Sequence, residues 1–341
     1  MNNKIRIVTL PEQLQEGLFG QIFLWVFEIL PYLDRQGILP TWAIRSKLYG
    51  FPEEFIVIPG LLEINYAVDA GNFQDVNLQD LRDGNVVTLG NDWEYNAQLW
   101  RKYFRWPARV NQRADEFPAL NHALGIHYRG TDKNKSFVET NCVSPDDFLT
   151  LVRDFTATHT DIETIYVASD EKDFAEKVRI QHPSLSIINS GTATHHKAAG
   201  DGNNFSMGDH ALLDCLLLSR CRYLLKCQSA LSAFAKILNP KLEAYRVSAN
   251  KLAPWCCGNP YFPDAFLPKL TSKNPECQKV LDRLLAEDWT EDRTAMKKFG
   301  GVFQYKERKS SLQNDGKIPN WSWEELHLRL KSRLTRLIRR Q

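Results

Sequence analysis

A doubly wound α/β fold is predicted for the centre of this 341-residue chain, and three observations carry the prediction. Between Ala123 and Pro240 a short apolar run gives way to a helical pattern four times over, the alternation that builds a parallel sheet covered by helices. The first of these runs, Ala123 to Tyr128, is too short for a helix and suits a strand buried on both faces. Polar groups gather where the runs end, and in an open parallel sheet that edge binds ligands.

Taken in order, Ile5 to Leu10 is the first predicted strand. Gly17-Leu-Phe-Gly20-Gln21 reads as a turn after it, and Ile22 to Leu30 as a buried helix. Glycine lets such a turn bring backbone amides against a phosphate or sugar. Plain packing explains it equally well, since neither Gly-x-Gly-x-x-Gly nor Gly-x-x-x-x-Gly-Lys is present. The apolar segment Leu18 to Leu30 contains Gln21 and Glu28 and falls short of the roughly 20 residues of a membrane span. From Gly37 to Trp106 the pattern is less regular. Phe55 to Ile58 and Val86 to Leu89 read as strands and Tyr95 to Phe104 as a helix, with no site among them. The polar, turn-rich stretch from Trp106-Pro107 to Phe117-Pro118 reads as a domain boundary.

Beyond it, Arg129, Thr131, Asp132 and Lys133 follow the strand Ala123 to Tyr128 at its carboxyl edge. By themselves they equally fit a surface ion pair between Arg129 and Asp132, of little energetic weight. Ser144-Pro145-Asp146-Asp147 opens a helix, Phe148 to Thr156, with serine as cap, proline in the first turn and carboxylates complementing the dipole rather than binding metal. Thr164 to Ala168 is the next strand and ends in Ser169-Asp170-Glu171. A helix with Phe174, Ala175 and Val178 inward then runs to Pro183. Leu185 to Ile188 is the third strand of the set, and the polar segment to Asn204, with His195-His196, reads as a loop.

Met207 to Leu218 is a buried helix with Asp214 in its middle. A carboxylate there must be hydrogen-bonded, either within the protein or to a ligand. Tyr223 to Lys226 is the fourth strand, and Cys227-Gln-Ser-Ala-Leu-Ser232 leads into a helix ending at Leu238-Asn239-Pro240, whose start at Ser229 favours an anion. Arg129, Ser169, Asp170, Gln228 and Ser229 therefore converge on one crevice suited to a phosphate. Pro254 to Pro268 is expected to wrap back over the core.

Composition narrows the class. A hydrophobic share of 43% with 25% charged residues is ordinary for a globular protein, and a net charge of +2 speaks against a nucleic-acid binder. The seven cysteines, Cys142, Cys215, Cys221, Cys227, Cys256, Cys257 and Cys277, are odd in number and form no Cys-x-x-Cys pair. They read as reduced thiols of a cytoplasmic protein, those from 215 to 227 in the core. Met1 to Arg6 carries no secretory signal. Near the other end Trp321, Trp323, Leu326, Leu330, Leu334, Leu337 and Ile338 recur at helical spacing beside Arg329, Lys331, Arg333, Arg336, Arg339 and Arg340. Such a helix, Trp321 to Arg340, suits an anionic membrane surface as well as it suits packing on its own protein.

Gly125-Ile-His-Tyr-Arg-Gly-Thr-Asp-Lys133, Tyr166-Val-Ala-Ser-Asp-Glu171, and Leu213-Asp-Cys-Leu-Leu-Leu-Ser219 with Gln228-Ser-Ala-Leu-Ser232 resemble, in wording, order and spacing, the three motifs of the fucosyltransferase superfamily. That superfamily includes the rhizobial nodulation and animal core α-1,6-fucosyltransferases and the protein O-fucosyltransferases. The likeness spans roughly Gly125 to Pro240, and Gly17 to Gln21 resembles the family's N-terminal glycine turn.

The resemblance implies a GT-B-like fold, two Rossmann-like domains facing across a cleft: residues 1–115 on the acceptor side, 116–270 binding the nucleotide sugar, and a helical extension over 271–341. It implies inverting, metal-independent transfer of fucose or a related sugar from a GDP-sugar to a glycan or lipid-linked glycan, with the donor as substrate and no cofactor. On this likeness Arg129, with Asp132 and Lys133, forms the catalytic loop, and Arg129 stabilises charge on the β-phosphate of departing GDP. His127 and Asp214 would meet guanine. Gln228, Ser229 and Ala230 would cradle the phosphates, Ser169 and Asp170 would shape the cleft, and Gly17 and Gly20 would face the donor.

Two positions depart from the family pattern. Gly130 stands where many members carry a second arginine, and Phe137 where core-fucosylating members carry the glutamate proposed as base. Glu139 is the nearest carboxylate to that position, so the base is open. Two other classes remain: a nucleotide-sugar-binding protein without catalysis, and a transferase using a sulfated nucleotide, which the missing phosphate-loop pattern disfavours.

Overall fold

A computed structural model describes residues 4–14, 17–50, 54–68, 71–85, 91–130, 140–191, 205–250, 256–257, 264–286 and 304–305. Val86 to Leu89, Thr131, Asp132, Lys133, Phe137, Glu139, His195-His196 and Trp321 to Arg340 lie outside them. One largely parallel sheet with an antiparallel edge and one wholly parallel sheet organise the rest, as the α/β reading requires.

In the N-terminal unit β1 (Ile5–Val8) leads through a π-type helical turn, Leu18–Phe23, into α1 (Leu24–Arg35). Then come β2 (Thr41–Arg45), β3 (Ile56–Ile58), β4 (Glu63–Ile64), β5 (Gln74–Asn77), α2 (Leu78–Asn85), α3 (Trp93–Tyr103), β6 (Phe104–Arg105) and α4 (Ala108–Asp115). The sheet order is β3-β2-β1-β5, with β1 parallel to both neighbours and β3 an antiparallel edge; β4 and β6 form a short ribbon.

Gly17 to Gln21 is not the open turn the sequence suggested. Gly17 caps the helix, its carbonyl accepts the Gln21 amide at 2.8 Å, and Leu18, Phe19, Ile22 and Phe23 are buried. The gain from burying four large apolar side chains on one core favours helix over loop. The stretch from Gly37 also holds four strands that its sequence did not announce, the short β4 and β6 and the longer β2 and β5. Thr41 to Arg45 alternates half-buried and buried residues, while the polar Gln74 to Asn77 is held as a strand by pairing with β1.

The second unit follows the predicted alternation: β7 (Ala123–Tyr128), α5 (Pro145–Thr158), β8 (Thr164–Ser169), α6 (Phe174–Gln181), β9 (Ser186–Asn189), α7 (Phe205–Arg220), β10 (Tyr223–Lys226), α8 (Ala230–Leu238) and β11 (Glu243–Arg246). Ser144 caps α5, its hydroxyl accepting the Asp147 amide at 3.1 Å. The strands form one parallel sheet, ordered β11-β10-β7-β8-β9. β12 (Cys256–Cys257) and β13 (Gln304–Tyr305) pair separately, and α9 (Pro275–Leu284) lies between them in sequence.

Helices cover both sheet faces. Leu124, Ile126 and Tyr128 point into a core shared with α5, α6 and α9. Ala123 points the other way, into the larger core that α7 and α8 share with the N-terminal unit. Cys215, Cys221 and Cys227 are buried free thiols. No helix among the described residues is long and apolar enough to cross a membrane.

That larger core runs through both units. Phe234 of α8 enters an aromatic cluster with Phe19, Phe27 and Trp100, its ring centroid 5.5, 5.9 and 5.0 Å from theirs. Gly208 of α7 allows close approach: a β-carbon there would meet Leu61 at 2.9 Å and Tyr49 at 3.2 Å. Beside it Asp209 accepts Arg109 Nε and Arg113 Nη1, both at 2.8 Å, and Arg109 also reaches the Gly60 carbonyl at 3.0 Å. One carboxylate thus ties α4 and the β3 to β4 turn to α7. Asp209→Ala is expected to cost about 2 kcal/mol, the hydrogen bonds being charge-assisted but the arginines partly solvated. Urea unfolding checks it, and an unchanged midpoint would mean the apolar joint carries the contact alone.

Candidate active site

Strand order locates the site. β7 comes first in its sheet and lies centrally, β8 and β9 add on one side, and β10 returns to pair on the other. The connections therefore diverge between β7 and β10, which opens a crevice at their carboxyl ends. Register places Lys226 beside His127 and Ser169 beside Tyr128. Arg129-Gly130, Ser169-Asp170-Glu171 and Cys227-Gln228-Ser229 consequently leave the sheet along one edge, as the sequence anticipated.

Asp170 organises this edge. Its Oδ1 accepts the Gly130 amide at 2.9 Å, and its Oδ2 lies 3.3 Å from Arg129 Nε. The Asp170 side chain is wholly shielded and that of Arg129 is 17% exposed. The sequence offered Asp132 as a surface partner for Arg129; among the described residues its carboxylate is Asp170. Ser169 accepts the Glu171 amide at 3.1 Å and shapes the turn. The Glu171 carboxyl lies over Gly130, where an added β-carbon would fall 1.9 Å from Oε1. A side chain here would have to displace the Glu171 carboxyl and would meet the Tyr128 ring at 2.8 Å.

The N-terminal unit contributes Tyr49, which the sequence reading missed. Burial pushes its phenol pKa up, while the Arg129 charge and the Leu18 backbone pull it down. Gly20 is buried inside the helical turn Leu18–Phe23. A tyrosine in an irregular, turn-rich stretch carries no periodic signal, and only the fold brings it here.

On the β10 side Lys226 is fully buried and paired with Asp264, which comes from the segment expected to wrap back over the core. Burial pushes the lysine pKa down and the carboxyl up, and their mutual attraction opposes both shifts. Asp264 Oδ2 also accepts the Ser229 amide at 2.8 Å. The amides that the start of α8 would offer an anion therefore begin at Ala230. Gln228 is 2% exposed, and neither atom of its side-chain amide has a hydrogen-bond partner.

His127 and Asp214 occupy separate neighbourhoods under the sheet. His127 Nδ1 lies 2.7 Å from the Ser232 hydroxyl of α8. Burial first, then the charges of Arg129 and Lys226, hold its pKa well below the usual histidine value, so the ring is neutral. Asp214, 1% exposed, accepts the Tyr166 hydroxyl at 2.7 Å through Oδ1, while Oδ2 has no hydrogen bond. A bond within the protein is thus the first of the two fates its sequence position allowed, with a side chain rather than the backbone. Burial raises its pKa to about 6 against the lowering effect of the Tyr166 and Ser190 hydroxyls. Among the described residues no group of three or more His, Cys, Asp or Glu side chains is placed to hold a metal ion.

No protein-family model matches the chain, and no curated protein sequence does either. Its structure is similar to solved structures of fucosyltransferases. POFUT1 in complex with GDP shares 11% identity over 72% of this chain and 98% of that one, with a TM-score of 0.45. A mutant of Arabidopsis thaliana FUT1 in complex with GDP shares 11% over 72% and 71%, with a TM-score of 0.44. Fucosyltransferase NodZ from Bradyrhizobium shares 14% over 70% and 95%, with a TM-score of 0.42. At these values the function of this chain rests on its own residues.

Two outcomes follow from the buried polar groups. Asp214 binds a proton more tightly folded, at about 6, than unfolded, near the ordinary carboxyl value, so its contribution to stability is full below about pH 4 and is lost as pH rises through 6. Asp214→Asn should remove that dependence and gain on wild type by roughly 3 kcal/mol between pH 4 and 7; a constant difference across unfolding curves would refute the shift. Gln228→Met removes an unpaired buried amide and should stabilise the ligand-free protein by about 1 kcal/mol, read as a raised melting temperature.

Proposed function

We propose that this crevice binds a GDP-sugar, and that the chain transfers fucose or a related sugar from it, with inversion and without a metal ion, to a glycan or lipid-linked glycan. The observation that carries the reading is the Arg129 guanidinium, oriented by a shielded carboxylate at the switch point of a parallel sheet and flanked by the start of α8. A cation fixed before the ligand arrives stabilises charge developing on a diphosphate leaving group more than it stabilises the ground state. Gly125 to Gly130, Tyr166 to Glu171 and Gln228 to Ser232, which resemble parts of the fucosyltransferase motifs, meet this edge, while Leu213 to Ser219 lies in α7; the likeness supports the choice of donor.

In this reading His127, Asp214, Ser169, Asp170, Gln228, Ser229, Ala230, Gly17 and Gly20 remain the donor-side residues, with Asp132 and Lys133 beside Arg129. Residues 1–115 serve the acceptor and 116–270 the donor, with 271–341 as the extension. The protein works in the cytoplasm, and Trp321 to Arg340 meets an anionic membrane surface near a lipid-linked acceptor.

The test compares nucleotides and one mutant. GDP and GDP-fucose should stabilise the protein with chelator present, by about 2.7 kcal/mol at 100 times Kd, and UDP and CDP should not. Arg129→Lys keeps the charge but loses the planar fork, so kcat should fall about a hundredfold with GDP-fucose Kd changed only a few-fold. Equal stabilisation by all three nucleotides, or near-normal turnover in folded Arg129→Lys, would overturn the proposal. GDP-specific binding without any release of fucose would instead favour the reading as a binding protein without catalysis, the alternative that Gly130 and Phe137 raise.

A further inference from the structure

We infer that Glu171 is the general base of this site, the residue that takes the proton from the attacking hydroxyl. The inference rests on the sugar transfer proposed above. It starts from placement: Arg129 stands between two gaps in the carboxyl edge of the sheet. On its β10 side lies the switch-point crevice with the start of α8, which suits the diphosphate. On its β8 side lies Glu171, at the turn after β8. An inverting displacement needs its base on the side of the sugar away from the leaving group; among the described residues Glu171 and Asp173 are the uncommitted carboxylates of the turn on that side of Arg129, and Glu171 is the one that lies over Gly130.

Packing separates Glu171 from its neighbour. Asp170 is shielded and spends both oxygens on Arg129 and Gly130. Glu171 is partly exposed, and among the described residues its carboxylate makes no hydrogen bond and no ion pair. Two adjacent carboxylates in such different surroundings divide the roles of orienting group and proton acceptor.

The carboxyl lies close over Gly130, so that a β-carbon there would meet Oε1 at 1.9 Å and Cδ at 2.5 Å, and the same β-carbon would meet the Tyr128 ring at 2.8 Å. Tyr128 is rigid: it is fully buried, donates its hydroxyl to the Val143 carbonyl at 3.0 Å, and stacks on Phe174 at 4.2 Å. The Glu171 amide is tied to Ser169. Gly130, where a second arginine was expected by resemblance, is thus the space in which this carboxylate sits. The charged groups acting on it are Lys177 on α6 and Asp170 and Asp173 in the turn; burial and the two carboxylates raise its pKa, and Lys177 lowers it.

The step balances without a further reactant. The acceptor oxygen forms a bond to the anomeric carbon, the bond from that carbon to the β-phosphate oxygen breaks, and its electron pair leaves with GDP beside Arg129. The hydroxyl proton passes to the Glu171 carboxylate and from there to solvent.

Release of GDP from GDP-fucose with water as acceptor tests this without an identified glycan. Glu171→Gln keeps the volume and removes the base, so kcat should fall about a hundredfold with GDP-fucose Kd unchanged, and the acidic limb of the wild-type pH profile of kcat should disappear. Gly130→Ala, which displaces the carboxylate by sterics, should lower kcat while retaining nucleotide binding. If Glu171→Gln keeps near-normal turnover or keeps the acidic limb while Arg129→Lys loses activity, Glu171 is not the base and the transferase reading stands. If the wild type neither binds nor cleaves GDP-fucose, both fall together.

Discussion

A carboxylate that water does not reach holds the carboxyl edge of the second sheet together. Asp170 follows the last residue of β8, directly after the register with β7 ends, and its charge is tolerable in that position only because both oxygens are engaged. The Gly130 amide fixes where the chain leaves β7, and the Arg129 guanidinium supplies the counter-charge. The dependence is mutual. Without Asp170 the arginine would lose its orientation and the loop its anchor, and without Arg129 the enclosed carboxylate would be unpaired, a costlier state than either partner in water.

The same reasoning explains the polar groups beneath the sheet. α7 and α8 pack between the second sheet and the N-terminal unit, and three enclosed sets lie there: His127 with Ser232, Tyr166 with Asp214, and Lys226 with Asp264 and the Ser229 amide. Each polar side chain is answered by one other, so none is left as an isolated charge, while Gln228 alone among these neighbours has both atoms of its amide unanswered. A core of this kind gives up some apolar stabilisation for fixed geometry close to the carboxyl edge. That exchange is what a site requiring defined side-chain positions demands.

How much of this is legible in sequence depends on whether the signal is local. Ser144-Pro145-Asp146-Asp147 encodes a helix start through capping alone, and the structure has it. The run from Ala123 to Tyr128 announces a doubly buried strand because all its residues avoid water. The convergence of Arg129, Asp170 and Gln228 follows from parallel topology and could be read from the alternation of elements. Long-range pairing could not: nothing near Lys226 points to Asp264, and nothing near His127 distinguishes Ser232 from any other helix serine. β5 is a strand because β1 offers it a partner, and Gln74-Asp-Val-Asn77 carries no propensity that would say so.

Tyr49 shows what joins the two units. It packs beside Gly208 of α7, in a core that continues through Phe19, Trp100 and Phe234 from one sheet to the other. An interface of this kind is apolar and enclosed, unlike the more polar contacts across which domains swing. Its geometry is therefore set when the chain folds rather than when a ligand arrives. The position of Arg129 relative to the N-terminal unit then depends on side chains far from the crevice. Substitutions at Phe234 or Gly208 should consequently change the site's geometry through the same packing by which they change stability, because in this chain the core and the cleft share one set of contacts.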